Sequence, residues 1–197
     1  MADKSIGYIK LNRFAASSTD EFKEALKTLD KKGMKKLILD LQGNGGGYLN
    51  VAIELADEFL ARGKQIVYTQ GSKQKRQDAI STAQGSFEDG ELVILVDESS
   101  ASASEILSGA VQDWDRGVIV GRRTFGKGLV QRPLPLPDGS MIRLTVARYY
   151  TPTGRCIQKP YEKGKGEDYA HDLIDRYNRG ELMSADSIHF PDSMKYS

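Results

Sequence analysis

Twice in this chain a short, almost unbroken apolar run gives way to a cluster of small residues and then to apolar residues at helical spacing. The first run is LILDL, residues 37–41, broken by GNGGG (43–47) and followed by Ile53, Ala56, Phe59 and Leu60, with Asn50 placed to cap that helix. The second is LVILV, residues 92–96, followed by the turn SSASAS (99–104) and by Ile106, Leu107, Ala110 and Val111. Residues 118–120, VIV, read as a third buried strand. Runs this short and this apolar fit strands covered on both faces, with helices returning the chain between them. The order predicts an α/β fold of short parallel strands with crossover helices.

The rest of the chain fits around that unit. Residues 6–12 are a strand candidate, and Ser18-Thr19-Asp20-Glu21 has capping-box spacing ahead of Phe22, Ala25, Leu26 and Leu29, with Gly33 closing the helix. Residues 65–69 read as another strand and residues 70–90 as a polar surface excursion. Residues 129–136 and 141–149 flank Asp138-Gly139, a hairpin signal. Beyond about residue 160 the periodicity fades and charge rises, so residues 1–160 are expected as the core. Residues 161–197 are expected as a partial segment, a small helical extension or a loosely held tail.

Composition removes several function classes. With 28 basic and 27 acidic side chains the net charge is +1, so no basic field argues for nucleic acid. No apolar run reaches the roughly 18 residues of a membrane span, and the N-terminus has no signal-peptide core. The chain reads as a fragment begun at an added Met. The single Cys156 excludes an internal disulfide and a cysteine-based metal site. Only two histidines occur, His171 and His189, both in the weakly patterned tail.

That scarcity shapes the chemistry. Ser100-Ala101-Ser102-Ala103-Ser104-Glu105 sits between a buried strand and a helix start, where backbone N–H groups face whatever a serine attacks. The same residues also make an ordinary tight turn and helix cap. A serine–histidine–aspartate triad needs a histidine that reaches the serine, and neither histidine is well placed. A serine is also activated by a neutral lysine, and Lys127 lies 25 residues beyond Ser102, after one helix and one strand. Neighbouring parallel strands would bring the two to one sheet edge, with Lys127 buried among Phe125 and the glycines; a surface lysine in a glycine turn is the alternative. GRRTFGKG (121–128) also resembles a phosphate-binding loop, but Gly128 stands where a magnesium-binding hydroxyl belongs and a strand-like segment follows. The glycine break fails as a dinucleotide fingerprint, having Tyr48 at the third glycine position. Its N–H groups suit an oxyanion, through one of Gly45, Gly46 and Gly47 together with Ala103, or it is a glycine turn without a ligand.

The segments LILDLQGNGGGYL (37–49), VILVDESSASASEILSGAVQD (93–113), GVIVGRRTFGKGLVQ (117–131) and RYYTPTGRCIQ (148–158) together resemble the catalytic core of the C-terminal processing, or tail-specific, peptidases. The resemblance implies a Clp protease/crotonase-like fold and a serine peptidase that cuts proteins near their C-termini without metal or cofactor. It implies Ser102 as nucleophile, Lys127 as general base and Gln131 as the residue that orients the lysine. Glu105, Asp113 and Thr124 match positions that support activity. Two features depart from the family: Gln42 and Gly43 stand where an arginine is usual, and no PDZ domain for substrate capture lies within these residues. Family members usually act outside the cytoplasm. A non-catalytic module on the same fold, or an acyl-CoA enzyme of the crotonase type, are the competing readings.

Overall fold

In the computed structural model, which describes residues 3, 5–82, 85–161 and 166–188, the apolar runs form the middle of a parallel sheet. The elements up to the hairpin are β1 (Ile6–Lys10), α1 (Ser18–Asp30), β2 (Lys36–Asp40), α2 (Leu49–Asp57), β3 (Gln65–Gln70), β4 (Gln77–Ile80), β5 (Glu91–Val96), α3 (Ala103–Asp113) and β6 (Val118–Gly121). β7 (Leu129–Pro135) and β8 (Met141–Tyr150) make the hairpin, and α4 (Gly166–Asn178) follows. One sheet has the order β1-β2-β5-β6, all parallel; the other has the order β4-β3-β8-β7, all antiparallel. The fold is mixed α/β, as the run-and-break pattern predicts.

The central strands are set by their side chains. Leu37 pairs in register with Leu92 and Leu39 with Ile94, all nearly inaccessible to solvent. α2 and α3 bring Val51, Leu55, Ile106, Leu107 and Val111 into the same core. Each fully buried side chain of this size stabilises by roughly 1.5–3 kcal/mol. β2, β5 and β6 are neighbours and run in one direction. Their C-terminal ends therefore open on one edge, where the glycine break, the serine turn and the loop 122–128 leave the sheet. In open α/β sheets that edge is where ligands bind.

Several local expectations are corrected. Val118 and Val120 are 61% and 46% exposed, because β6 is the outer strand and has a neighbour on one side only. β3 leaves the parallel sheet and joins the antiparallel one. Part of the expected surface excursion is a strand, β4, which pairs with β3 although it lacks apolar alternation. Asn50 lies inside α2, whose cap position is held by Tyr48. Ser18 does not close a capping box: its hydroxyl donates to the Arg13 carbonyl and accepts the Ala15 N–H. The hairpin closes as expected, with Gly139 at φ +84°.

The chain divides into two compact units, Met1–Lys159 and Pro160–Ser197. In the second, α4 carries Arg176, buried against Glu181 at 2.8 Å. His171 is exposed on α4, and His189 lies outside the described residues.

Candidate active site

The three alternating serines have different fates. Ser100 and Ser104 are fully buried. The Ser100 hydroxyl donates to the Leu41 carbonyl at 2.8 Å and the Ser104 hydroxyl to the Asn44 carbonyl at 2.9 Å, so both stitch the serine turn to the glycine break. Ser102 alone is partly exposed, and it lines a groove of about 780 Å³ with Gly47, Ala103 and Gln131. Its backbone has φ 57° and ψ −109°, a conformation that costs a non-glycine residue about 1–3 kcal/mol and is held only where surrounding structure over-determines it. Here the Ser102 N–H donates to Glu105 Oε2 at 2.8 Å, and its carbonyl accepts the N–H groups of Glu105 and Ile106. Gly46 presses on the same turn: a Cβ there would lie 2.6 Å from the Ala101 carbonyl oxygen, and its φ is +95°.

The oxyanion candidates separate on hydrogen bonding. The Gly46 N–H donates to Asn44 Oδ1 at 2.9 Å. Gly47 and Ala103 line the groove with Ser102, and their N–H groups have no acceptor among the described residues. The geometry thus favours Gly47 over Gly46. Asn44, which the sequence reading passed over, organises this edge. It is fully buried, its Nδ2 donates to the Leu11 carbonyl at 2.7 Å, and its carbonyl accepts from Ala101 N–H and the Ser104 hydroxyl. A polar residue between glycines is the only local signal of such a role.

Glu105 is the second organiser. Oε2 accepts the N–H groups of Ser102 and Lys127, both at 2.8 Å; Oε1 accepts the Thr124 hydroxyl at 2.8 Å and the Gly126 N–H at 2.6 Å. One carboxylate therefore ties the serine turn to the lysine loop, and Thr124 is brought to it. Burial pushes its carboxyl above the ordinary range, and the hydrogen bonds from Lys127, Thr124, Gly126 and Ser102 offset this only in part. The Phe125 N–H donates to the Ser100 carbonyl, a further tie. Gly126 turns the loop at φ +85°, where a Cβ would meet the Lys159 side chain at 2.7 Å. Gln158, also unread from sequence, accepts the Gly128 N–H at 3.0 Å.

Two expectations about this loop change. Its N–H groups at 126–128 face Glu105 and Gln158, so they do not form a phosphate cradle, and a strand, not a helix, follows. The Lys127 side chain is exposed, not buried, because the inward hydrogen bonds of Gly126, Lys127 and Gly128 are all made by the backbone. The structure brings the Ser102 and Lys127 backbones to one carboxylate; no hydrogen bond between their side chains occurs among the described residues. Gln131, on β7 beyond a bulge, lies with Ser102 on the groove. Asp113 is set apart, at the far end of α3. It accepts the Thr153 N–H at 2.9 Å and the Thr153 hydroxyl at 2.7 Å, and pairs with Arg155. Burial opposes its ionisation, yet the neighbouring hydroxyls of Thr151 and Thr153 and the Arg155 guanidinium together hold its carboxyl below the ordinary range.

Residues 5–169 match the sequence pattern of peptidase family S41. Over 156 residues the chain is 43% identical to a carboxyl-terminal-processing protease of Picosynechococcus, covering 79% of this chain and 37% of that protein. It is 38% identical over 164 residues to a probable CtpA-like serine protease of Staphylococcus aureus, covering 82% of this chain and 32% of that one. Among solved structures, the photosystem II D1 C-terminal processing protease superposes with a TM-score of 0.74 at 39% identity, over 78% of this chain and 39% of that chain. The chain thus spans about a third of the length of the curated relatives it matches.

Proposed function

Because the chain belongs to peptidase family S41, we propose that it is the catalytic core of a serine endopeptidase that cleaves protein substrates near their C-termini. The observation that carries this reading is Ser102: the middle of three serines, held at a strained φ and facing a groove beside the N–H groups of Gly47 and Ala103. Strain held in place at a groove is how a nucleophile is presented without freedom to relax.

In the proposed reaction the Ser102 hydroxyl attacks a peptide carbonyl while Lys127 accepts its proton. The negative charge that develops on the carbonyl oxygen is stabilised by the Gly47 and Ala103 N–H groups, each such donor contributing about 3–4 kcal/mol in comparable sites. Lys127 returns the proton to the leaving amine, the acyl group remains on Ser102, and water releases it. With Lys127 exposed, its proton-accepting role depends on a bound peptide that covers the site and excludes water. Gln131 orients the lysine in this scheme. Glu105 does not touch the substrate; it positions both reacting segments through their backbones. Capture of substrate by a PDZ domain, and action outside the cytoplasm, belong to the same proposal and rest on the family resemblance.

Unfolded casein tests the reading. Cleavage by this chain is expected to fall roughly a thousandfold or more in Ser102→Ala and in Lys127→Ala, each with native circular dichroism. Cleavage that survives in either variant sinks the assignment. Casein held by the groove but left intact by the parent chain would instead indicate a non-catalytic binding module.

A further inference from the structure

The groove that holds Ser102 is lined almost wholly by uncharged residues. Leu129, Gln131 and Pro133 share one face of β7 by the two-residue period of a strand, and Met141 and Arg143 of β8 lie beside them. Arg143 is the one charged side chain on the lining, and no acidic side chain lies there to neutralise it. It is exposed and forms no ion pair with an acidic residue among the described residues. Arg76 pairs with Asp78, Arg122 with Glu98, Arg155 with Asp113 and Arg176 with Glu181, whereas Arg13, Arg62, Arg132 and Arg148, like Arg143, form no such pair among the described residues; of these only Arg143 lines the groove.

Position adds to the case. The Tyr149 N–H donates to the Gly128 carbonyl at 2.8 Å, which fixes that end of β8 against the lysine loop. Arg143 stands six residues back along β8, roughly 20 Å away at the rise of a strand and about the span of six extended peptide residues. Its partner across the ladder is Pro133, which has no N–H to offer a peptide backbone. A guanidinium is the donor that fits a carboxylate with two parallel hydrogen bonds.

We propose that Arg143 is a specificity-determining residue that holds a carboxylate of the bound peptide at the end of the groove away from the lysine loop. That carboxylate is either the peptide's own C-terminus or an aspartate or glutamate side chain. The proposal rests on the peptidase reading for the identity of the ligand, not on the catalytic roles of Ser102 and Lys127.

The test measures binding on the uncleaving Ser102→Ala chain by fluorescence anisotropy, so that turnover does not enter. The probes are N-terminally labelled eight-residue peptides rich in alanine and leucine: one with a free C-terminal carboxylate and no acidic side chain, its C-terminal amide, and amides carrying one glutamate at each position in turn. With Arg143 present, one carboxylate source is expected to bind roughly three- to tenfold more tightly than the plain amide, an advantage that shrinks at high salt. Whichever peptide shows it identifies the source. Arg143→Gln is expected to bind acid and amide alike, and Arg143→Lys to recover part of the difference. Equal binding of all peptides with Arg143 present, no binding of any, or a carboxylate preference that persists in folded Arg143→Gln overturns the proposal. A chain that shows the preference but never cleaves contradicts the serine–lysine chemistry and leaves Arg143's role standing. A chain that cleaves with no carboxylate preference does the reverse.

Discussion

The two ends of α3 each bury a carboxylate, and they use it in opposite ways. At the N-terminal end Glu105 gathers four donors, all from the serine turn and the lysine loop, with no ion pair among the described residues, and burial leaves its carboxyl raised. At the C-terminal end Asp113 gathers Thr153 and the Arg155 guanidinium, and its carboxyl is lowered. A buried carboxylate with a cation fastens one piece of chain to another. A buried carboxylate whose donors are all neutral is less comfortable as an anion when burial outweighs their hydrogen bonds. In this fold the second kind sits under the residues proposed to react.

The largest expected effect comes from removing the uncompensated carboxylate. Glu105→Ala leaves four buried or half-buried donors without their acceptor. It is expected to cost about 3 kcal/mol or more of stability in urea unfolding and, where the chain still folds, at least a hundredfold in cleavage. Glu105→Gln keeps the shape but turns an N–H₂ group toward two of the donors, so a smaller loss of both is expected. Asp113→Asn is expected to cost about 1–3 kcal/mol of stability and less than threefold in cleavage at temperatures where it stays folded. If cleavage falls as far in Asp113→Asn as in Glu105→Gln, the distinction between the two ends is wrong.

The pH dependence sharpens the same contrast through its sign. A lowered carboxyl stabilises above its unfolded value and loses that contribution as pH falls. The stability deficit of Asp113→Asn is therefore expected to vanish as pH drops below 3.8. A raised carboxyl contributes most below its unfolded value and loses its contribution as pH rises. The deficit of Glu105→Gln is thus expected to shrink as pH rises from 4.5 through the raised folded value. Urea midpoints of both variants and the parent across pH 3–8 would show opposite slopes; slopes of one sign would refute the assignment. The smallest effects belong to the serines. Ser100→Ala and Ser104→Ala are each expected to cost about 1 kcal/mol, for a lost buried hydrogen bond, and Ser102→Ala less than about 0.5 kcal/mol.

The sequence carries the parallel core plainly, because residues 37–41, apolar but for Asp40, and residues 92–96, apolar throughout, are each followed by a break of small residues. It does not say which strand ends the sheet. Strand order is a long-range property, and Val118 and Val120 look as buried on paper as Ile94. The serine turn is legible, and so is the pairing of its edge with the lysine loop, since both follow from adjacent parallel strands. Asn44 and Glu105 are not legible as organisers, because their partners come from separate loops and only tertiary structure counts them. The exposure of Lys127 is equally non-local: it depends on where three backbone N–H groups of residues 126–128 find acceptors.

The most direct test of the central claim is labelling with a fluorophosphonate, followed by peptide mapping, on the parent, Lys127→Ala and Glu105→Gln chains. The account predicts modification of Ser102 alone among the serines, slowed at least tenfold in both variants while circular dichroism stays native. Modification of a different serine, no modification of the parent, or an unchanged rate at Ser102 without Lys127 would contradict it.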